Sequence, residues 1–416
     1  MFKRYQSGLK CAAAAALLSA PLANAANTFT VPTKSSLAPF LAGFSSSNDP
    51  SAPATNAALK FVIPVQAGEN QTFSEVLVDT GSAILWVGAL DPYQPGLNSQ
   101  VINETFSVGY GVGGVNGTAY KDRVTIGSAT VESQIIGSAE YMYGFTLEKP
   151  IDGILGLGPS GSNGGEVSGS NTTPTFVENL VSEGTIDEPV FGIYVGPLSD
   201  SVESAGEITF GGIDESKISG DLVWLNQTPP YNLHWEFNAT SFKWGNLTAD
   251  PSTPSMPVRT PASSLSRFPC DDQFFDMLDM IPGTTLDQAS LLSGSIVFPG
   301  NVTADDLPPL EIGIGSLLFN ITADQYTVPA SLYPSLNITD DGLTHTWIGS
   351  GGPSALDLGQ KFLEHAYSAY DSACFFWSMR SAFTDGCPSA TPPMTYGHPG
   401  IRCAVENHLI GFAYLA

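Results

Sequence analysis

The chain has 416 residues and carries 40 Asp and Glu against 15 Lys and Arg, a net charge of −25. A polyanion of this kind argues against nucleic acid and anionic membrane as partners, and the length allows one large core or two lobes of ordinary domain size. Only 13% of the residues are charged, a mix that suits an extracellular all-β protein meeting acid, where protonated carboxylates relieve self-repulsion.

In chain order, residues 1–25 read as a secretory signal peptide. Lys3, Arg4 and Lys10 precede the apolar run Cys11–Ala20, and Ala23-Asn24-Ala25 offers a small-x-small cleavage site. That run is too short to span a membrane, and no later stretch reaches the needed length. Residues 26–57, rich in Ser, Ala, Pro and Asn, read as an aperiodic leader or short propeptide. Asn-x-Thr sequons at Asn70, Asn103, Asn116, Asn171, Asn226, Asn238, Asn246, Asn301, Asn320 and Asn337 fit a secreted glycoprotein.

From Leu59 onward short apolar or alternating runs recur between Gly, Pro and Asn signals: Phe61–Val65, Glu75–Val78, Ile84–Val87, Val124–Ile126 and Gln134–Ile136. The spacing predicts a β-barrel or sandwich. Helices are expected only over 174–182, 271–280 and 359–364, and low-complexity loops over 158–169 and 248–257. Two lobes are expected, 58–220 and 221–416, with an anomalous insert over 372–403. Asp152–Gly158 and Leu356–Leu363 echo one another, each an apolar pair ending in Gly before a turn or helix, the trace of an internal duplication. Beyond the signal the cysteines are Cys270, Cys374, Cys387 and Cys403, which allow three pairings. None lies between residues 26 and 269, so the N-terminal half rests on its core alone.

The chemistry concentrates at Val78-Asp79-Thr80-Gly81-Ser82. An aspartate at the end of an apolar run is costly to bury unless hydrogen-bonded. The turn supplies N–H groups, and Thr80 and Ser82 supply hydroxyls that fix the carboxylate. Such a carboxylate is suited to activating water when a second carboxyl shares its proton. Thirty residues on, Gly109-Tyr110-Gly111-Val112-Gly113-Gly114 matches a dinucleotide-binding pattern only formally, since no helix follows it. A mobile hairpin with Tyr110 at its base fits better, with Tyr110 hydrogen-bonded to Trp86 and closing on substrate. The five histidines, His234, His345, His365, His398 and His408, have no metal-ligand spacing and read as structural. Trp224, Trp235 and Trp244 read as β-core residues.

The segments VDTGSAILWVG, SVGYGVGGVNGTAY, IDGILGLGPSG, AGEITFGGIDESKISGDLVWLN, LDLGQKFLEHAYSAYD and ENHLIGFA, in that order, resemble the pepsin family of aspartic endopeptidases, and most of all its fungal polyporopepsin-like members. The resemblance covers roughly 58–371 and 404–414. It implies an all-β, bilobal pepsin-like fold with the active-site cleft between two β-barrel-like lobes. It also implies a secreted acid protease acting on polypeptides as a monomer, without metal or cofactor. Asp79 is then the first catalytic aspartate, supported by Thr80, Gly81 and Ser82, and Tyr110, Gly111 and Trp86 form the flap and its partner. The second aspartate is expected after 248–257, where the chain reads Val258-Arg259-Thr260-Pro261-Ala262. Arg259 stands at the expected Asp position and accepts no proton, and Pro261 stands at the Gly position. A shifted reading frame across Met256–Ala262 permits Ala-Gly-x-Asp-Thr-Gly, so an altered frame is one account of the departure. The alternative is a catalytically silent relative that binds peptides or proteins in the same cleft.

Overall fold

The computed structural model describes residues 28–37, 40–42, 59–110, 113–147, 151–197, 203–229, 233–248, 256–259, 266–269, 272–352, 356–372 and 408–416. Gly111, Cys270, Cys374, Cys387, Cys403, His398 and nearly all of the expected insert lie outside these. The architecture is all-β, as expected. The largest sheet has 13 strands and runs from Ile218–Asn226 at one edge to Gln100–Tyr110 at the other. A pairing of Leu59–Ala67 with Gly113–Ile126 folds its N-terminal part back on itself in the manner of a barrel. A seven-stranded and a four-stranded sheet hold most of the C-terminal half.

One plan is built twice. Strand Ile151–Gly156 lies between Gln71–Asp79, which it meets in parallel, and Leu85–Val87, which it meets antiparallel. Leu85–Val87 in turn runs parallel to Ala129–Tyr143. In the C-terminal half Leu356–Asp357 lies in parallel register with Met256–Arg259 and antiparallel to Ser266–Pro269, which runs parallel to Thr344–Gly352. The echo between the two apolar-Gly segments is therefore a repeat of topology.

Two departures from the sequence expectations concern the ends of the lobes. Phe29–Leu37, expected within an aperiodic leader, is a strand inside the large sheet, between Glu203–Phe210 and Leu59–Ala67. Its side chains do alternate, with Val31, Thr33 and Ser35 buried, but two of those three are polar and hide the period from a hydrophobicity pattern. Pro32 is tolerated because Leu59–Ala67 pairs only with Lys34–Leu37, which leaves one side of Pro32 without a ladder partner. The second departure is the lobe boundary expected at 220/221, which falls inside strand Ile218–Asn226. That strand pairs with Leu409–Leu415, so segments from both expected lobes share one sheet.

The helices sit where expected and are short. Phe176–Ser182 starts with a reciprocal cap: Glu178 N–H donates to Thr175 Oγ1 at 3.2 Å, and Thr175 N–H donates to Glu178 Oε2 at 2.8 Å. It buries Phe176, Val177 and Leu180. Thr175→Ala is expected to cost about 1 kcal/mol, measured as a lower denaturant midpoint at unchanged slope. Asp272–Met280 and Gln360–Leu363 are the other two expected helices, and a four-residue helix at Ala323–Tyr326 was not anticipated.

Candidate active site

Asp79 ends strand Gln71–Asp79, and the chain turns at once into Thr80-Gly81-Ser82. Asp79, Thr80 and Ser82 are all buried. The carboxylate is held on both oxygens: Gly81 N–H donates to Oδ1 at 2.7 Å, and Ser82 Oγ donates to Oδ2 at 2.6 Å. Both contacts come from the turn, through Gly81 and Ser82. Behind the turn the segment after Ile151–Gly156 closes against it. Leu157 N–H donates to Asp79 O and Gly158 N–H to Ser82 O, each at 2.7 Å, and Gly156 N–H donates to Ile84 O at 3.0 Å. Two of these positions admit no side chain. A Cβ at Gly156 would lie 2.6 Å from Ile84 N, and one at Gly158 would lie 2.8 Å from Ser82 O.

Asp152, also buried, fixes the neighbouring loop by accepting from Leu90 N–H at 2.6 Å and Asp91 N–H at 3.1 Å. These bonds explain why an acid sits inside the apolar run Ile151–Leu155.

The glycine-rich segment is a hairpin, as expected of a flap. Gln100–Tyr110 and Gly113–Ile126 pair antiparallel up to Tyr110 opposite Gly113. Trp86 Nε1–H donates to Tyr110 Oη at 2.6 Å. The Tyr110 ring stands edge-on to Phe145, with centroids 5.7 Å apart. The Tyr110 phenol also lies near Ser82 and Asp79. Burial, and then the charge of Asp79, hold the Tyr110 hydroxyl well above its ordinary range, so it stays a proton donor. Tyr110→Phe leaves the buried Trp86 N–H without its acceptor, a loss of roughly 1–3 kcal/mol. We expect kcat/KM on a polypeptide to fall about 10- to 100-fold, measured by steady-state kinetics.

On the other side the register differs. Asp79 stands opposite Gly156, whereas Arg259 stands opposite Asp357. Asp357 is two residues before Gly359, the glycine that echoes Gly156. Pro261 lies outside the described residues. From Arg259 through Pro261 the chain reads Arg-Thr-Pro and holds no carboxyl.

The remaining candidates are structural. Trp235 and Trp244 are buried, and Trp224 is half-buried. Burial holds His408 down to about 4, and burial together with Lys361 does the same to His365. His345 is bound to Asp287, with Nδ1 3.1 Å from Oδ2.

Sequence reasoning missed the segment 158–169. Expected as an interrupting loop, it contains a 3₁₀ turn at Ser160–Asn163 and is sewn to the flap strand. Ser107 N–H donates to Glu166 O at 2.8 Å and Ser168 N–H to Thr105 O at 2.9 Å. Asn163 is buried, accepts from Thr173 N–H at 2.9 Å, and donates to Thr173 O at 2.7 Å and Ala83 O at 3.4 Å.

A family model described as eukaryotic aspartyl protease matches residues 60–375. Polyporopepsin of Irpex lacteus is 33% identical over 331 residues, covering 77% of this chain and 94% of that protein. Pepsin A of Bos taurus is 28% identical over 314 residues, 71% of this chain and 77% of that protein. The crystal structure of the aspartic proteinase from Irpex lacteus superposes with a TM-score of 0.72 at 25% identity, covering 94% of this chain and 98% of that one. The doubled topology, the caged aspartate and the tyrosine hairpin agree with these likenesses, and the chain belongs to the pepsin-like eukaryotic aspartyl proteases.

Proposed function

We propose that the protein is a secreted aspartic-type endopeptidase that hydrolyses polypeptides at acidic pH. The observation that carries the proposal is Asp79, buried and held on both oxygens by Gly81 and Ser82 beneath Tyr110. In this reading Asp79 is the general base. It takes a proton from water as the water oxygen bonds to the substrate carbonyl carbon, and the proton leaves on the departing amine as the C–N bond breaks. No covalent intermediate forms. Tyr110 closes over the substrate and excludes water.

Acid operation draws support from Asp287. Burial pushes its carboxyl up, but hydrogen bonds from His345, Ser290 and Ala289 outweigh burial and pull it down to about 2, so this structural carboxylate keeps its charge through the acid range. Secretion draws support from the signal-like N-terminus and from the sequons. Nine of the ten sequon asparagines are exposed, Asn116 on the flap being half-buried. Three of them, Asn70, Asn103 and Asn337, are the non-glycine residues with left-handed φ among the described residues, a conformation of exposed turns.

The reaction also asks for a second carboxyl to hold the shared proton, and the stretch Arg259–Pro261 supplies none. That favours a second reading, a catalytically silent cleft that binds peptides. One experiment separates the two. Protein made from sequenced cDNA is incubated with an unfolded polypeptide at acid pH, with and without a transition-state-mimicking peptide inhibitor. New N-termini that vanish with inhibitor support the endopeptidase. Inhibitor binding without cleavage supports the silent cleft, and a transcript with Asp-Thr-Gly in place of Arg259-Thr260-Pro261 removes that reading's basis.

A further inference from the structure

Glu166 is the only ionisable residue between Gly158 and Ser170. Two backbone bonds and the antiparallel bridge of Val167 to Phe106 tie its segment to the flap strand four residues before Tyr110. Its carboxyl is turned inward, and the Oε2 atom is buried without a hydrogen-bond partner. A buried carboxylate oxygen with no donor is costly, and the uncharged acid is the form such a site tolerates.

The groups facing it add no counter-charge. From strand Gln71–Asp79 comes Asp79. From the flap strand come Tyr110 and Glu104, and Glu104 takes the Ser168 hydroxyl. No Lys or Arg lies in the segment or in the paired stretch Glu104–Tyr110. Burial first and the charge of Asp79 second hold the Glu166 carboxyl up at about 7, and Glu166 in turn helps to raise Tyr110.

We propose that Glu166 is a positioning residue of the candidate site: as an uncharged acid it lets the flap strand seat Tyr110 beside Ser82 and Asp79, and its ionisation loosens that strand. The inference rests on the protease reading for its meaning but not for its test.

The sign follows from the raised value. Below the ordinary range near 4.5 the acid is protonated whether the protein is folded or not, and the flap keeps its full stability. As pH rises towards 7 the open form gives up the proton and the closed form retains it, so closure weakens until the folded carboxyl itself ionises.

Hydrogen exchange of the flap, read by mass spectrometry on the full chain without substrate, tests this. After correction for intrinsic rates, protection of peptides spanning 104–118 should fall at least tenfold between about pH 5 and 8 in the wild type, one decade for each pK unit of difference sampled. Glu166→Gln should abolish the fall, Glu166→Asp should restore it, and Asp79→Asn should move its midpoint to lower pH. An unchanged pH dependence in Glu166→Gln overturns the proposal. So does a loss of protection spread equally over all peptides, which would mark a general structural role. If Glu166→Gln fails to fold, the Asp79→Asn shift decides alone: no shift refutes the coupling. Absence of hydrolysis leaves every arm readable, so failure of the protease reading stays distinct.

Discussion

Asp79→Asn should cut acid proteolysis by roughly 10²–10⁴-fold, the range expected for removing a general base, while leaving the fold in place. The substitution keeps the shape of the side chain: the amide oxygen accepts from Gly81 N–H, and Ser82 Oγ turns to accept from the amide NH2. It removes the charge and the basicity. Steady-state kinetics on an unfolded polypeptide, with circular dichroism as the check on folding, gives the answer. A variant that folds and retains more than about a tenth of the activity would place the chemistry elsewhere. Binding of a transition-state-mimicking inhibitor should weaken in parallel, because such a compound replaces the attacking water at this carboxylate.

The largest stability effect is expected at Trp235. Its indole is 2% exposed, packs against Phe191 and Tyr370 with centroids 6.2 and 5.2 Å apart, and donates from Nε1 to Leu157 O at 2.8 Å. Leu157 is the residue whose N–H donates to Asp79 O. Trp235 therefore lies in the core and one residue removed from the catalytic turn. Trp235→Ala should destabilise by about 3–5 kcal/mol, through the cavity and through an unpaired carbonyl at Leu157. Chemical denaturation measures the loss, and the same variant should lose activity before it unfolds. Trp224→Ala is the control. That side chain is half-buried on strand Ile218–Asn226, and its removal should cost less than half as much.

The Asp79 turn and the Tyr110 hairpin were legible because their hydrogen bonds are made by side chains at short spacing. An acid that follows Val76-Leu77-Val78 and is followed by the hydroxyls of Thr80 and Ser82 calls for a hydrogen-bonded turn, and Tyr110 within a glycine-rich hairpin pointed to Trp86. The strand Phe29–Leu37 was illegible for the opposite reason: Thr33 and Ser35 are inward residues that a hydrophobic pattern counts as outward. The segment 158–169 looks like an interruption in the sequence because its contacts are backbone bonds to the strand Gln100–Tyr110 and the amide of Asn163, none of which has a periodic signature. The one signal there was Glu166, a lone acid in a stretch of Gly and Ser. The half-written second loop was visible at once from Arg259 and Pro261. What the strand register adds is that Arg259 pairs with Asp357.

The pH–rate profile of the wild-type protein on an unfolded polypeptide tests the central claim most directly. Carboxylate catalysis predicts cleavage confined to the acid side and falling towards neutrality. Cleavage that peaks at neutral or alkaline pH, or no cleavage at any pH by protein of verified sequence, would contradict it.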